Sequence, residues 1–148
     1  MMSDLRTLYG DVIVDHGKHP RNFRTIEAAR KAEGFNPLCG DHLTVYVQVD
    51  DGLIRDVSFK GLGCAIAKAS ASLMTESVKG KTVAEAAALF ARVQRMVRAP
   101  PEAPVDDLGA LSALAGVRRF PVRVKCATLP WHALLSAAAA GDEMVTTE

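Results

Sequence analysis

The sequence has little that would point to nucleic acid or a membrane as a partner. Its formal net charge is only +1 over 148 residues, so no global excess of basic residues favours nucleic-acid binding. No apolar run reaches the length of a bilayer, and no apolar segment typical of a secretion signal follows the N-terminus. We therefore expect a cytoplasmic protein that binds neither nucleic acid nor membrane.

Cysteine is also scarce, and the arrangement of the three cysteines excludes several kinds of site. Three thiols cannot all pair within one chain, and in a reducing compartment metal binding or thiol chemistry is the favoured use. The chain has no Cys-x-x-Cys pair, which excludes a zinc finger, and it has no complete Gly-x-x-x-x-Gly-Lys-Ser/Thr phosphate loop and no evident Ser/His/Asp arrangement. Any site must therefore be assembled from separate segments by the fold.

The pattern of apolar residues predicts an α+β fold in one domain, residues 1–148. Hydrophobic residues make up 49% of the chain, which is enough for a full core. Apolar and polar residues alternate from Leu43 to Asp50, and a return strand from Leu53 to Phe59 follows the turn at Asp51-Gly52. With a third short strand before this hairpin, we expect a small antiparallel sheet packed against helices on one face.

Helices are expected before and after the hairpin along the chain. Leu5, Leu8, Tyr9, Val12 and Ile13 form one apolar stripe at helical spacing. A helix is predicted from Cys64 to Lys79, and the capping box at Thr82 to Glu85 begins the next. Residues 18–37 are expected to be irregular, with a helical turn at about 26–31.

The last helical segment, from Phe120 to Ala140, contains a proline. Pro130 would remove a helical hydrogen bond to the carbonyl of Cys126, so the sequence favours a break at this point. Thr128 could then cap a new helix, with the proline in its first turn. We therefore expect Cys126 at a junction between two helical pieces, with a thiol that can point away from the core.

Four residues lie in contexts that suit metal ligation: Cys39, Asp41, Cys64 and Cys126. The first two belong to a turn marked by proline and glycine, and the third follows two glycines at a helix start, where backbone N–H groups would lower its pKa. Three thiolates and a carboxylate form a tetrahedral set that suits zinc. The alternative is that each cysteine is a small buried hydrophobe, which would not need these turns.

Other polar residues have ordinary explanations as well as functional ones. Arg123 and Lys125 would offset the negative charge of the thiolates near Cys126, or they are surface charges that happen to lie there. His16 and His19 lie in a polar patch that we interpret as mainly structural, with partner contact as the alternative.

Several longer runs are specific enough to indicate a family. They are Leu8-Tyr9 through Asp15-His16, Pro20-Arg21-Asn22, Asn36-Pro37-Leu38-Cys39-Gly40-Asp41, Phe59 through Ile66, Ala69 through Thr75, Gly80-Lys81, and Phe120 through Leu129. On these residues the chain resembles the SufU branch of the IscU-like proteins of iron–sulfur cluster assembly. Two differences from IscU-type scaffolds favour SufU: Lys125 stands where IscU has a histidine, and residues 98–117 resemble the SufU insertion.

The resemblance implies a function and a site. It implies a zinc-dependent sulfurtransferase, with zinc held by Cys39, Asp41, Cys64 and Cys126, and with Cys39 as the persulfide acceptor. The implied partner is a pyridoxal-phosphate-dependent, SufS-like cysteine desulfurase, which the protein would stimulate, and a SufBCD-type scaffold is a further candidate partner. Arg123 and Lys125 would lie near the site or contact the partner. Two alternatives stay open: a scaffold that assembles an iron–sulfur cluster, and a non-catalytic interaction module that zinc stabilises.

Overall fold

The computed structural model describes residues 2–139 and 144–146, with side chains for residues 10–139. Its helices and strands follow the chain in this order: α1 Met2–Lys18, β1 Arg30–Asn36, β2 Asp41–Asp50, β3 Leu53–Leu62, α2 Ala65–Val78, α3 Val83–Arg98, a 3₁₀ helix Gly109–Arg119, α4 Pro121–Ala138 and β4 Met144–Thr146. None of the helices in these ranges is long and apolar enough to cross a membrane.

The four strands form one sheet with the order β3-β2-β1-β4. β2 pairs antiparallel with both β1 and β3, whereas the short β4 runs parallel to β1. At the turn between β2 and β3, Asp51 and Gly52 have φ values of 56° and 76°, as a two-residue hairpin turn of this kind requires. The predicted α+β fold with an antiparallel sheet is confirmed, and the parallel edge strand is an addition to it.

β1 is the short third strand that the sequence predicts before the hairpin, so the expectation that residues 18–37 are irregular is wrong for this strand. The helical turn expected at about 26–31 is also wrong, because residues 30 and 31 begin β1. Along this strand Ala32, Gly34 and Asn36 are buried, while the residues between them are exposed or half-buried. The inward residues are small or polar, so the strand carries no run of large apolar side chains that would show its period. Its inward face is small because α4 packs directly against it: a Cβ on Gly34 would lie 2.9 Å from Leu129 Cδ1.

The helices cover one face of the sheet, as predicted. α4 packs on β1 and β2, and α2 packs on α4 and on β3. The inward side chains of β2 and β3 are fully buried beneath them, including Leu43, Val45 and Phe59. Trp131 of α4 is also fully buried and stacks on Phe90 of α3, with ring centroids 5.6 Å apart.

The predicted helix starts are confirmed for α2 and α3. Cys64 is the N-cap of α2, and Thr82 forms the predicted capping box with Glu85 at 2.9 and 3.0 Å. α1 carries a kink at Gly10, whose φ is 85°. Of its predicted apolar stripe, Ile13 is buried and Val12 is exposed; the side chains before residue 10 lie outside the described residues.

The predicted helix break at Pro130 is wrong, because α4 runs through it without interruption. The proline removes one backbone hydrogen bond, but a side chain from α2 supports the helix at this point. The hydroxyl of Ser70 donates to the carbonyl of Ala127 at 2.5 Å and accepts the indole N–H of Trp131 at 3.1 Å. Cys126 is consequently a fully buried residue within a helix, not an exposed residue at a junction.

Candidate metal centre

The four predicted ligands come from four different parts of the fold. Cys39 lies in the tight turn between β1 and β2, and Asp41 is the first residue of β2. Cys64 precedes the first turn of α2, and Cys126 lies within α4. Because α2 and α4 pack against each other and against the sheet, the fold brings these segments together.

Three of the four ligands form a compact group. One ligand atom from each of Cys39, Asp41 and Cys126 lies within 4.8 Å of the others, and the two sulfurs are 3.3 Å apart. Thiolates bind zinc at about 2.3 Å, so two thiolates on one ion are at most about 4.6 Å apart. The spacing and the donor types of this group therefore fit a zinc ion. Asp41 and Cys126 are buried, whereas Cys39 is half-buried.

Cys64 adjoins this group through the carboxylate of Asp41. One carboxylate oxygen accepts the backbone N–H of Cys64 at 2.8 Å, and the other lies 3.9 Å from the Cys64 sulfur. The sulfur in turn accepts the N–H of Ala67 at 3.4 Å, as the N-cap of α2. Asp41 thus has one oxygen occupied by the protein backbone and a second oxygen directed toward the thiols.

The thiols influence one another's proton affinity. The pKa of Cys64 is lowered to about 6, mainly through its interaction with the thiol of Cys126, and the N–H of Ala67 adds to this effect. The pKa of Cys126 is raised by the same interaction and by burial. Cys64 is therefore the more acidic of these two thiols.

The two basic residues named from the sequence lie in different places. Burial opposes the charge of Arg123, but the nearby sulfurs of Cys64, Cys126 and Cys39 raise its pKa overall, so its guanidinium lies beside the cluster. Lys125 instead lines a neighbouring groove together with Arg98 and Arg118. Arg123 is thus the basic residue placed to act on the thiols.

An open cleft of about 720 Å³ borders the cluster. It is lined by Leu38 and Cys39 from the β1–β2 turn and by residues 119–123 from the start of α4. Cys39 alone of the four predicted ligands lines this cleft. A molecule approaching through the cleft would therefore meet the sulfur of Cys39 first.

The polar patch on α1 is a hydrogen-bonded connection to α2. The Nδ1 atom of His16 lies 2.7 Å from the hydroxyl oxygen of Ser72, and that oxygen also accepts the backbone N–H of Arg21 at 2.8 Å. Burial lowers the pKa of His16. These contacts fit the structural interpretation of the patch. Among the described residues, the compact group of candidate metal ligands contains no histidine.

Sequence reasoning missed one residue of the site, Asn36. Its side chain is fully buried, and its Nδ2 atom lies 3.7 Å from the sulfur of Cys126. In the sequence, Asn36 begins the turn-forming run that contains Cys39. An asparagine at the start of such a turn indicates a local hydrogen bond, but not one to a distant thiol.

Comparison with known proteins identifies the family. The protein-family model for the NifU-like N-terminal domain matches residues 8–127 of this chain. The chain belongs to this family. It is 40% identical over 132 residues to the zinc-dependent sulfurtransferase SufU of Bacillus subtilis, covering 89% of this chain and 90% of that one.

A second relative carries a different function in its name. The iron–sulfur cluster assembly scaffold protein IscU of Streptococcus pyogenes is 40% identical over 136 residues, covering 92% of this chain and 86% of that protein. Among solved structures, a candidate iron–sulfur cluster assembly scaffold of the SUF system from Fervidobacterium islandicum has a TM-score of 0.81 at 36% identity, covering 90% of this chain and 98% of that one. The family resemblance is therefore confirmed, and the chain is a member of an iron–sulfur cluster assembly family.

Proposed function

We propose that this protein is a zinc-dependent sulfur acceptor in iron–sulfur cluster assembly, which takes persulfide sulfur from a cysteine desulfurase onto Cys39 and stimulates that enzyme. The observation that carries the proposal is the position of Cys39, which belongs to the compact ligand group and also lines the open cleft. The name of the Bacillus subtilis relative supports the same chemistry.

The proposed ligands are Cys39, Asp41, Cys64 and Cys126. Bound zinc would hold the thiols deprotonated without undergoing redox chemistry. The chain's own contribution is to fix three of these ligands on β2, α2 and α4, which pack together, and to place Cys39 on a turn. A ligand on a turn can move with little disturbance of the core, so Cys39 is the ligand that can leave to react.

The sulfur transfer is a thiol–persulfide exchange. The Cys39 thiolate attacks the outer sulfur of the desulfurase persulfide, so that a bond forms between Cys39 Sγ and that sulfur. The sulfur–sulfur bond of the desulfurase breaks, and its cysteine leaves as a thiolate. The proton of the persulfide stays on the transferred sulfur, and the reaction needs no external oxidant or reductant.

The surface around the cleft provides contacts for the desulfurase. Leu38 and Val122 border it and are 65% and 55% exposed, and Arg119 and Arg123 line the same cleft. We propose a SufS-like, pyridoxal-phosphate-dependent desulfurase as the partner, with a SufBCD-type scaffold as a later acceptor, both in the cytoplasm. Lys125 would contact the partner from the neighbouring groove.

We also propose that residues 98–117 are a SufU-type insertion within one domain, residues 1–148. An exposed proline-containing connector is followed there by the 3₁₀ helix. Arg118 fastens this segment to the body of the protein: its guanidinium donates to the carbonyl of Met96 at 2.8 and 3.1 Å and to that of Ala103 at 2.7 Å.

The second candidate function is a scaffold on which a cluster is assembled. The name of the Streptococcus pyogenes relative favours it. Lys125 disfavours it, because it takes the place of a histidine in IscU-type proteins. A cluster that absorbs visible light after anaerobic reconstitution, and that can be transferred to an apo-protein, would favour the scaffold.

The deciding experiment is a desulfurase assay with the zinc-loaded protein. Sulfide or alanine formation from cysteine is measured with wild type, with Cys39→Ser and without the protein. We expect wild type to stimulate the desulfurase and Cys39→Ser to lose that stimulation while keeping its circular dichroism spectrum. Full stimulation by Cys39→Ser would contradict sulfur transfer through this thiol. No stimulation by either protein would favour the interaction module.

A further inference from the structure

We propose that Asn36 is a positioning residue that keeps Cys126 as a fixed, weakly reactive thiolate and thereby leaves Cys39 as the thiolate that reacts. This inference rests on the proposed function and adds a reason for the choice between the two sulfurs. Asn36 is the last residue of β1, it is fully buried, and no part of the sulfur-transfer step described above uses it.

The orientation of the Asn36 amide follows from its contacts. Its Oδ1 atom accepts the backbone N–H of Leu38 at 3.1 Å. Because a backbone N–H can only donate, this side of the amide must be the oxygen. The NH₂ group therefore faces Cys126, with its nitrogen 3.7 Å from the sulfur, and it donates a hydrogen bond to that sulfur.

The backbone of Asn36 holds the turn that carries Cys39. Its carbonyl oxygen accepts the N–H of Cys39 at 3.3 Å and that of Gly40 at 2.8 Å. In the β1–β2 ladder, Asn36 is also paired with Asp41. One buried residue therefore sets the position of the turn, of the carboxylate strand and of the α4 thiol relative to one another.

The hydrogen bond affects the chemistry of the two sulfurs differently. A donor to a thiolate withdraws electron density from the sulfur, which lowers its nucleophilicity and tunes its bond to a metal. Cys126 has this donor and is fully buried. Among the described residues, the contact of the Cys39 sulfur is with the sulfur of Cys126 and not with an amide. The side-chain amide of Asn36 therefore acts on the sulfur of Cys126 and not on the sulfur of Cys39.

The test uses two variants of Asn36 and one matched control. Asn36→Ser removes the donor and keeps a short acceptor for the turn. Asn36→Asp keeps the size and the acceptor for Leu38 but turns an oxygen toward the sulfur. Asn22→Ser is the control, since the Asn22 amide donates to the hydroxyl of Thr75 at 3.0 Å, away from the thiols.

The first readout is spectroscopic and independent of sulfur transfer. In the cobalt-substituted protein, the sulfur-to-cobalt charge-transfer band should move to longer wavelength in Asn36→Ser, and further in Asn36→Asp, because the thiolate loses its hydrogen bond. The band should not move in Asn22→Ser, even if that variant is less stable. Identical bands in wild type and in both Asn36 variants would overturn the proposal.

The second readout locates the sulfur. After reaction with a cysteine desulfurase and cysteine, the share of persulfide on Cys126 should rise several-fold in Asn36→Ser relative to wild type at equal zinc content. An unchanged share would count against the role of Asn36 in choosing the sulfur. If wild type accepts no sulfur at all, the proposed function fails, while the cobalt spectra still decide whether Asn36 acts on the thiolate. If Asn36→Ser does not fold, Asn36→Asp carries both readouts.

Discussion

Replacing Gly61 with alanine should disrupt the candidate metal site more than an alanine substitution at any other glycine with a positive φ. Gly61 lies near the end of β3, shortly before Cys64, and its φ is 131°. A Cβ atom at this position would overlap the carbonyl oxygen of His42 and would lie 2.9 Å from Leu43 Cα. Both contacts are with backbone, so neither can be relieved by rotating a side chain.

The magnitude follows from two contributions. An alanine at this φ stores about 1–3 kcal/mol of backbone strain. Separating the two strands to admit the methyl group costs about 1–3 kcal/mol more, which is typical of an overpacked core. We expect Gly61→Ala to lower the free energy of unfolding by about 2–6 kcal/mol in total and to reduce zinc content, because the shift displaces the segment that leads to Cys64.

Gly52→Ala is the matched control. Gly52 also has a positive φ, 76°, but a Cβ atom there would have no neighbour within 4 Å. It should therefore lose only about 1–2 kcal/mol and retain its zinc. Both variants are compared with wild type by urea unfolding at a fixed free zinc concentration and by elemental analysis. Equal unfolding midpoints for the two variants, or full zinc content in Gly61→Ala, would refute the reasoning.

Three further predictions concern buried groups. Ser70→Ala should lower the free energy of unfolding by about 1–3 kcal/mol, because it leaves the buried indole N–H without an acceptor, whereas Ser77→Ala, whose hydroxyl bonds within its own helix, should change the urea midpoint little. Burial lowers the pKa of His132 below its ordinary value of 6.5, so the stability of the protein should be full above that pH and fall as the pH drops below it. The urea midpoint should therefore fall less on acidification in His132→Gln than in wild type, and equal falls in the two proteins would contradict this. Cys126→Ser should lose zinc and thermal stability together, whereas Cys39→Ser should keep a folded chain; the reverse order in elemental analysis and thermal melts would be inconsistent with the proposed ligand roles.

The sequence predicted those parts of the fold that carry their own local signal. The β2–β3 hairpin was predictable because large apolar residues alternate along β2 and an Asp-Gly turn fixes the pairing. The capping box of α3 was also predictable from local sequence, because its two partners, Thr82 and Glu85, lie within one helical turn. These elements would be recognised in any fold that contained them.

Features that depend on distant partners could not be predicted, although the sequence does indicate a short third strand before the hairpin. The strand β1 presents Gly34 to the core because Leu129 of α4 occupies the space above it. The continuity of α4 through Pro130 is supported by Ser70, which lies 57 residues before the carbonyl that it contacts. No local pattern in either segment contains this information.

The candidate site shows the same division. The residue types and turns around Cys39, Cys64 and Asp41 indicated metal ligation, and the fold brings Cys39, Asp41 and Cys126 into one group. The part of Asn36 in the site depends on a contact with a sulfur 90 residues away. Its local sequence therefore predicted the turn but not the hydrogen bond to the thiol.

The most direct test of the central claim is to locate the transferred sulfur by mass spectrometry. The zinc-loaded protein is incubated with a cysteine desulfurase and cysteine, alkylated and digested with trypsin. The three cysteines fall on separate peptides, residues 32–55, 61–68 and 126–148, so each can be measured independently. We predict an added sulfur on the peptide that contains Cys39. Persulfide mainly on Cys64 or Cys126, or on none of the three, would contradict the proposed role of this protein as a sulfur acceptor through Cys39.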